Sequence, residues 1–109
     1  MALLHATQFY SGTVGDLLLH TLYTVPAGNR IIVRDVTFQN AGTVASDCQF
    51  RVGGVGTIRH TNLAAYGSAS DHDEYKLWLV LPPAATIQFQ RVTGNGVCVI
   101  TVSGSIYTI

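Results

Sequence analysis

Hydrophobic and polar residues alternate along much of this 109-residue chain with the two-residue period of a β-strand. The clearest alternation is at residues 86–91, where Ile87 and Phe89 point to one side and Gln88 and Gln90 to the other. The same alternation, or a run rich in β-branched and aromatic residues, predicts further strands over residues 17–25, 30–40, 47–52, 57–62, 75–81 and 97–107. Residues 2–10 are either another strand or a short N-terminal arm.

The segment before the longest strand has two interpretations. Residues 16–23 have enough apolar residues for a helix, but Thr21 and the nearby Pro26 favour a strand. Pro26 ends that strand, and Gly28 can take the positive φ that a tight turn requires. We therefore predict a strand, a proline-glycine turn and a second strand over residues 30–40.

The alternation slips by one residue within that second strand. Ile31 and Val33 share one face, whereas Val36 and Phe38 have the opposite parity. A β-bulge near residues 34–35, a strand covered on both faces, or a strand that turns a corner between two sheets would explain the slip, and we favour a bulge or a corner. Turn signals rich in glycine or proline separate the strands every 8–12 residues, which is typical of an all-β sandwich or barrel.

Charge is scarce and balanced in this chain. Six basic and six acidic residues give zero net charge, and only 11% of the residues are charged, compared with about 25% in an average soluble domain. This composition argues against a nucleic-acid footprint or a membrane-surface patch. It favours a subunit that covers much of its surface with other protein, with a sparsely charged monomer as the alternative. No secretory signal and no apolar run long enough to span a bilayer is visible.

The polar residues that could support chemistry are few. The acidic run at residues 71–74 is predicted to be a solvated loop, with an interface salt bridge or a Ca²⁺ or Zn²⁺ site as alternatives. The four histidines are scattered, and neither a Gly-x-Ser-x-Gly elbow nor a phosphate-binding loop is present. We therefore predict no catalytic residue, no cofactor and no metal. Cys48 and Cys98 are predicted to be reduced, buried thiols, and a disulfide between them is the alternative.

Exposed aromatic residues would bear on binding. Trp78 lies between two leucines in a strand that is apolar on both faces, so we predict that it belongs to the core. Tyr66 lies in the least regular part of the chain and is expected to be exposed. Exposed aromatic side chains stack on sugar rings or anchor interfaces, so carbohydrate binding is a second hypothesis.

Three short segments resemble small virion proteins of tailed bacteriophages. They are residues 23–30 (Tyr-Thr-Val-Pro-Ala-Gly-Asn-Arg), residues 79–82 (Leu-Val-Leu-Pro) and residues 97–104 (Val-Cys-Val-Ile-Thr-Val-Ser-Gly), the last followed by Tyr107. The resemblance implies a single compact antiparallel β-sandwich of about eight short strands, similar to a jelly roll. Residues 1–109 would form one domain, with residues 1–10 as an N-terminal arm or edge strand.

The resemblance also implies a non-enzymatic role in a phage particle. We expect a capsid decoration (cement) protein that binds the outer capsid surface as a homo-oligomer, with a trimer favoured, and stabilises the shell. Its partners would be the major capsid protein or other virion proteins, with no nucleic acid and no membrane, in virions assembled in the host cytoplasm. The alternative is a tail or adsorption component that acts as a receptor- or carbohydrate-binding module. The residues that we assign to the interface are Leu3, Leu4, Tyr10, Tyr66, Asp71, His72 and Asp73.

Overall fold

The computed structural model describes residues 2–109, which form eight β-strands and no helix. The strands are β1 (Ala2–Val14), β2 (Leu19–Thr24), β3 (Asn29–Asn40), β4 (Ser46–Val52), β5 (Gly56–Leu63), β6 (His72–Leu81), β7 (Thr86–Arg91) and β8 (Cys98–Thr108). The all-β prediction is confirmed, and so is the choice of strand over helix before Pro26. The turn after Pro26 places Gly28 at φ 79°, as its sequence position predicts.

The eight strands form two antiparallel four-stranded sheets. Sheet A has the strand order β1-β8-β3-β6 and sheet B the order β2-β7-β4-β5. The chain changes sheet at every connection except the β4–β5 hairpin. Two packed sheets of eight strands joined in this way are a jelly roll, which buries one face of each strand between the sheets.

Aromatic and β-branched side chains fill the space between the sheets. Phe38 from sheet A and Phe50 and Phe89 from sheet B are fully buried, and the ring centroids of Phe38 and Phe89 lie 5.4 Å apart. In β4 and β7 every second residue is buried, as the alternation in the sequence predicts.

The strand pairing in sheet A is irregular at one position along the strands, in both β1 and β3. The register of β3 shifts between Val33 and Asp35 relative to both neighbouring strands, which confirms the predicted bulge. The register of β1 shifts between Gln8 and Tyr10. Because Ser103 of β8 pairs with both Gln8 and Asp35, these two irregularities lie side by side. They bend the sheet along a single line.

The connections divide the molecule into two ends. We call one the loop end, made of residues 15–18, 41–45, 64–71 and 92–97. We call the other the terminal end, made of residues 25–28, 53–55 and 82–85 together with the described chain ends. Antiparallel pairing places these sets at opposite ends of the strands, and the molecule measures 44 Å along its longest axis.

Two sequence predictions are corrected by the position of β6. The acidic run does not form a loop over residues 71–74, because β6 begins at His72 and includes Asp73 and Glu74. Trp78 is not a core residue, since 65% of it is exposed. The reason is topological: β6 is an edge strand of sheet A, and its outer face is covered by no other element of the described chain.

Candidate functional site

Hydrogen bonds join the four connections of the loop end into one unit. The Thr43 amide donates to Asn95 Oδ1 at 2.9 Å, and Asn95 Nδ2 donates to Thr43 Oγ1 at 3.0 Å. The Tyr66 amide donates to the Gly42 carbonyl at 3.0 Å. Three of the four connections are therefore fixed to one another by direct bonds between neighbouring loops.

Arg91 ties the fourth connection to the same unit. Its guanidinium is buried, with only 2% of the residue exposed. Nη1 donates to the carbonyls of Asn95 at 3.1 Å and Gly96 at 2.6 Å, and Nη2 donates to the Gly15 carbonyl at 3.4 Å. We did not single out this residue from the sequence. The signal was present, because Arg91 has the same parity as the buried Ile87 and Phe89.

Each of the four connections also carries exposed apolar side chains. These side chains are Leu17, Leu18, Val44, Tyr66, Val92 and Val97. Tyr66 is 64% exposed, in line with its irregular sequence context. Each apolar side chain stands on a loop that hydrogen bonds hold in place, so the patch is largely preorganised.

Two carboxylates flank this apolar surface, and each contacts a histidine. Asp16 Oδ1 lies 2.6 Å from His20 Nε2, and Asp71 Oδ1 lies 3.0 Å from His72 Nδ1. The hydrogen bond from His20 and the Leu18 amide hold the pKa of Asp16 below its ordinary value. The hydrogen bond from His72 does the same for the pKa of Asp71, with help from the Gly67 amide.

Asp71 stabilises the loop in which it lies. Its Oδ2 accepts a hydrogen bond from the Gly67 amide at 3.0 Å, and its backbone carbonyl accepts one from the Asn40 amide at 2.8 Å. Asp71 is buried, whereas the His72 side chain is 63% exposed. The prediction of a solvated acidic loop is therefore wrong at Asp71, because its carboxylate satisfies backbone donors of its own loop.

Asp73 links the two sheets through an ion pair. Its carboxylate pairs with Arg59 of β5, with 3.1 Å between Oδ2 and Nη2. The Arg59 guanidinium also lies 4.8 Å from the centroid of the Tyr75 ring, and burial raises the pKa of Tyr75. Within residues 2–109 no three His, Cys, Asp or Glu side chains converge in a group that could hold a metal ion.

The outer face of sheet A carries a second surface feature. The Arg34 guanidinium lies over the exposed Trp78 ring, 4.6 Å from its centroid, and Nη2 donates to Tyr107 Oη at 3.4 Å. Beside Arg34, the line of irregular pairing forms an open depression of about 460 Å³. The polar residues that line it are Thr7, Gln8, Arg34, Asp35, Ser103 and Ser105.

The remaining predicted interface residues lie on β1, an edge strand of sheet A. Leu3 and Leu4 are 59% and 48% exposed and lie near the terminal end. Tyr10 is half-buried and packs against the core. The structure therefore does not bring the seven predicted residues together: Leu3 and Leu4 lie at the terminal end, and Tyr66, Asp71 and His72 lie at or beside the loop end. Tyr10 lies within β1, and Asp73 pairs with Arg59.

The fold is therefore a jelly roll that carries two surface features, the loop end and the depression on sheet A. No protein-family model and no curated protein matches the sequence. No helix of the described chain is long and apolar enough to cross a membrane.

Solved structures share the fold at low sequence identity. The core of Drosophila NLP, studied for pentamer formation and histone binding, has a TM-score of 0.51 and 13% identity, and the match covers 94% of this chain and all of that one. A family 35 carbohydrate-binding module from Clostridium thermocellum has a TM-score of 0.45 and 12% identity over 92% of this chain and 72% of that one. A pentameric capsid protein from metagenomic phage sequences has a TM-score of 0.43 and 18% identity over 87% and 59%. The three are structural or binding proteins, and the likeness extends to the fold alone.

Proposed function

We propose that this chain is a non-enzymatic structural protein of a phage particle, a decoration protein that binds the outer capsid surface as a homo-oligomer. The observation that carries the proposal is the rigid apolar loop end, whose exposed side chains come from four hydrogen-bonded connections. The resemblance of residues 23–30, 79–82 and 97–104 to small phage virion proteins supports the placement in a virion.

The loop end has the properties of a protein-binding surface. Its exposed leucine, valine and tyrosine side chains would leave water on contact with a partner, and burial of apolar area drives association. Because the loops are already fixed, little conformational entropy is lost on binding. Asp16 and Asp71 are engaged with histidines, so the surface has few free charges to desolvate. We assign this end to the contact with the capsid shell.

The edge of β1 is suited to contacts between copies. It is a strand of 13 residues at the margin of sheet A, with Leu3 and Leu4 exposed near its start. An edge strand exposes unpaired backbone groups and readily accepts a neighbour. A trimer built through this edge would present three loop ends to the shell, and avidity would multiply a weak single contact.

The test uses capsid shells assembled from the major capsid protein of the same phage. The purified full chain should cosediment with the shells, and Leu18→Asp and Tyr66→Asp should each weaken binding by about tenfold or more, because each buries a charge at the contact. Val80→Asp is the matched control, since Val80 is an exposed apolar residue of β6 away from the loop end. Sedimentation equilibrium of the free chain measures its oligomeric state.

Two results would contradict the proposal. Failure of the unmodified chain to bind the shells would remove the decoration role. A monomer at every concentration tested would contradict the proposed homo-oligomer, and a stable pentamer would contradict the favoured trimer.

A second candidate function, carbohydrate binding in a tail or adsorption component, is favoured by the exposed Trp78 and the polar depression on the same sheet. The Trp78 ring is exposed and lies under the Arg34 guanidinium, and Arg34 also lines the depression. An aromatic face stacks on the apolar face of a sugar ring, and neighbouring carboxylate, amide and hydroxyl groups bond sugar hydroxyls. Gln8, Asp35 and Ser103 supply those groups in the depression.

Titration against oligosaccharides of the host cell surface tests this candidate. If sugar binding is the function, Trp78→Ala should weaken binding by about tenfold or more, and Trp78→Phe should retain most of the affinity. Neither change should lower the thermal midpoint, because Trp78 is exposed. Absence of binding to every host glycan, or equal binding by the Trp78→Ala variant, would eliminate the candidate.

A further inference from the structure

Two cysteines from different sheets meet inside the core. Cys48 belongs to β4 of sheet B, and Cys98 is the first residue of β8 in sheet A. Both side chains are fully buried and unbonded, and their sulfur atoms lie 3.8 Å apart. A disulfide requires about 2.05 Å between the sulfurs, so the two atoms need to approach by less than 2 Å.

A buried cation lies beside this pair. Cys48 is directly opposite Arg91 in the β4–β7 ladder. The Arg91 guanidinium donates to backbone carbonyls of the loop end, and in residues 2–109 no carboxylate lies within salt-bridge distance of it. A positive charge in a low-dielectric core stabilises a nearby anion.

The two thiols are not equivalent in this environment. The contact with the Cys48 thiol, together with the charge of Arg91, lowers the pKa of Cys98 despite its burial. The same contact and burial raise the pKa of Cys48. Because the thiolate is the reactive form of cysteine, Cys98 has the character of a nucleophile and Cys48 that of its partner.

We propose that Cys48 and Cys98 form a site of oxidative cross-linking that covalently joins the two sheets. With peroxide as oxidant, the Cys98 thiolate attacks one peroxide oxygen, and the O–O bond breaks to release hydroxide, which takes up a proton to form water. The Cys98 sulfenic acid then reacts with the Cys48 sulfur, which displaces the hydroxyl group as a second water. Two thiols and one peroxide thus give one disulfide and two waters.

The cross-link stabilises the fold by constraining the unfolded chain. It closes a loop between residues 50 positions apart, and long loops lose the most conformational entropy when they are closed. Oxidation of a finished subunit outside the reducing cytoplasm would therefore increase its thermal stability. This inference does not depend on the proposed virion role.

The experiment treats the purified full chain with a small excess of hydrogen peroxide, a small oxidant chosen because both thiols are buried. Intact mass spectrometry under denaturing conditions should show loss of two hydrogen atoms, and no thiol should react with an alkylating reagent. The midpoint of thermal unfolding should rise by about 10 °C or more, and dithiothreitol should reverse the rise.

Single variants test the assigned roles. In Cys48→Ala, oxidised Cys98 lacks its partner and should be trapped by dimedone as the sulfenic acid adduct. Cys98→Ala should give at least tenfold less adduct at Cys48. The proposal is overturned if the oxidised unmodified chain retains two alkylatable thiols, if it forms only dimers between chains, or if both variants yield equal adduct.

Discussion

Gly104 shows how one missing side chain permits the local geometry of sheet A. A Cβ atom added there would overlap the carbonyl oxygen of Ile32 and come within 3.0 Å of the Phe9 ring. Gly104 pairs with Val33, next to the bulge in β3. Only glycine lets β8 approach β3 so closely at the point where the sheet bends.

Gly104→Ala should therefore destabilise the protein by about 2 kcal/mol or more, because a backbone oxygen cannot rotate away as a side chain would. Chemical denaturation with equilibrium unfolding curves measures the change. Gly15→Ala is the matched control: its new Cβ would meet only Val97 Cγ1 at 3.4 Å, and we expect a change within about 0.5 kcal/mol. Equal effects of the two substitutions would contradict the argument.

Among the elements, the edge strands and loops differ most from what their sequence suggests. Trp78 and Val80 make β6 apolar on both faces, which is typical of a covered strand. In the fold β6 is an edge strand with an uncovered outer face, so these side chains meet solvent. Arg34, placed by the bulge, covers part of the Trp78 ring instead.

The loop over residues 64–71 depends on one carboxylate. The depressed pKa of Asp71 means that its ionised form is bound more favourably in the folded chain than in the unfolded chain. This stabilisation is fully present above the ordinary pKa of 3.8 and is lost as the pH falls through the lower folded-state value. Stability should therefore decrease on acidification below about pH 4.

Asp71→Asn should lower the thermal midpoint at pH 7, and its difference from the unmodified chain should shrink at pH 3. Amide exchange at Gly67, the donor to Asp71 Oδ2, should become faster in the variant. Asp35→Asn is the control, because Asp35 contacts only the exposed Lys76, at 3.5 Å, among charged groups of the described chain. An unchanged midpoint and unchanged Gly67 exchange at pH 7 would refute the role of Asp71.

For the molecule as a whole, the jelly roll separates an ordered core from two different ends. The loop end combines exposed apolar side chains with a network anchored by buried Arg91. The terminal end carries Leu3 and Leu4 on an edge strand. Only 11% of the residues of the chain are charged, and the proposed function assigns the loop end to the capsid and the edge of β1 to contacts between copies.

The sequence by itself determined most of the strands, the slip in alternation near residue 34 and the buried faces of β4 and β7, because alternation and turn chemistry are local properties. The exposure of Trp78, the internal role of Asp71 and the meeting of Cys48 with Cys98 were decided only by tertiary structure. Those features depend on which strands become edges and which residues far apart in the chain are brought together, and the local pattern carries no information about either.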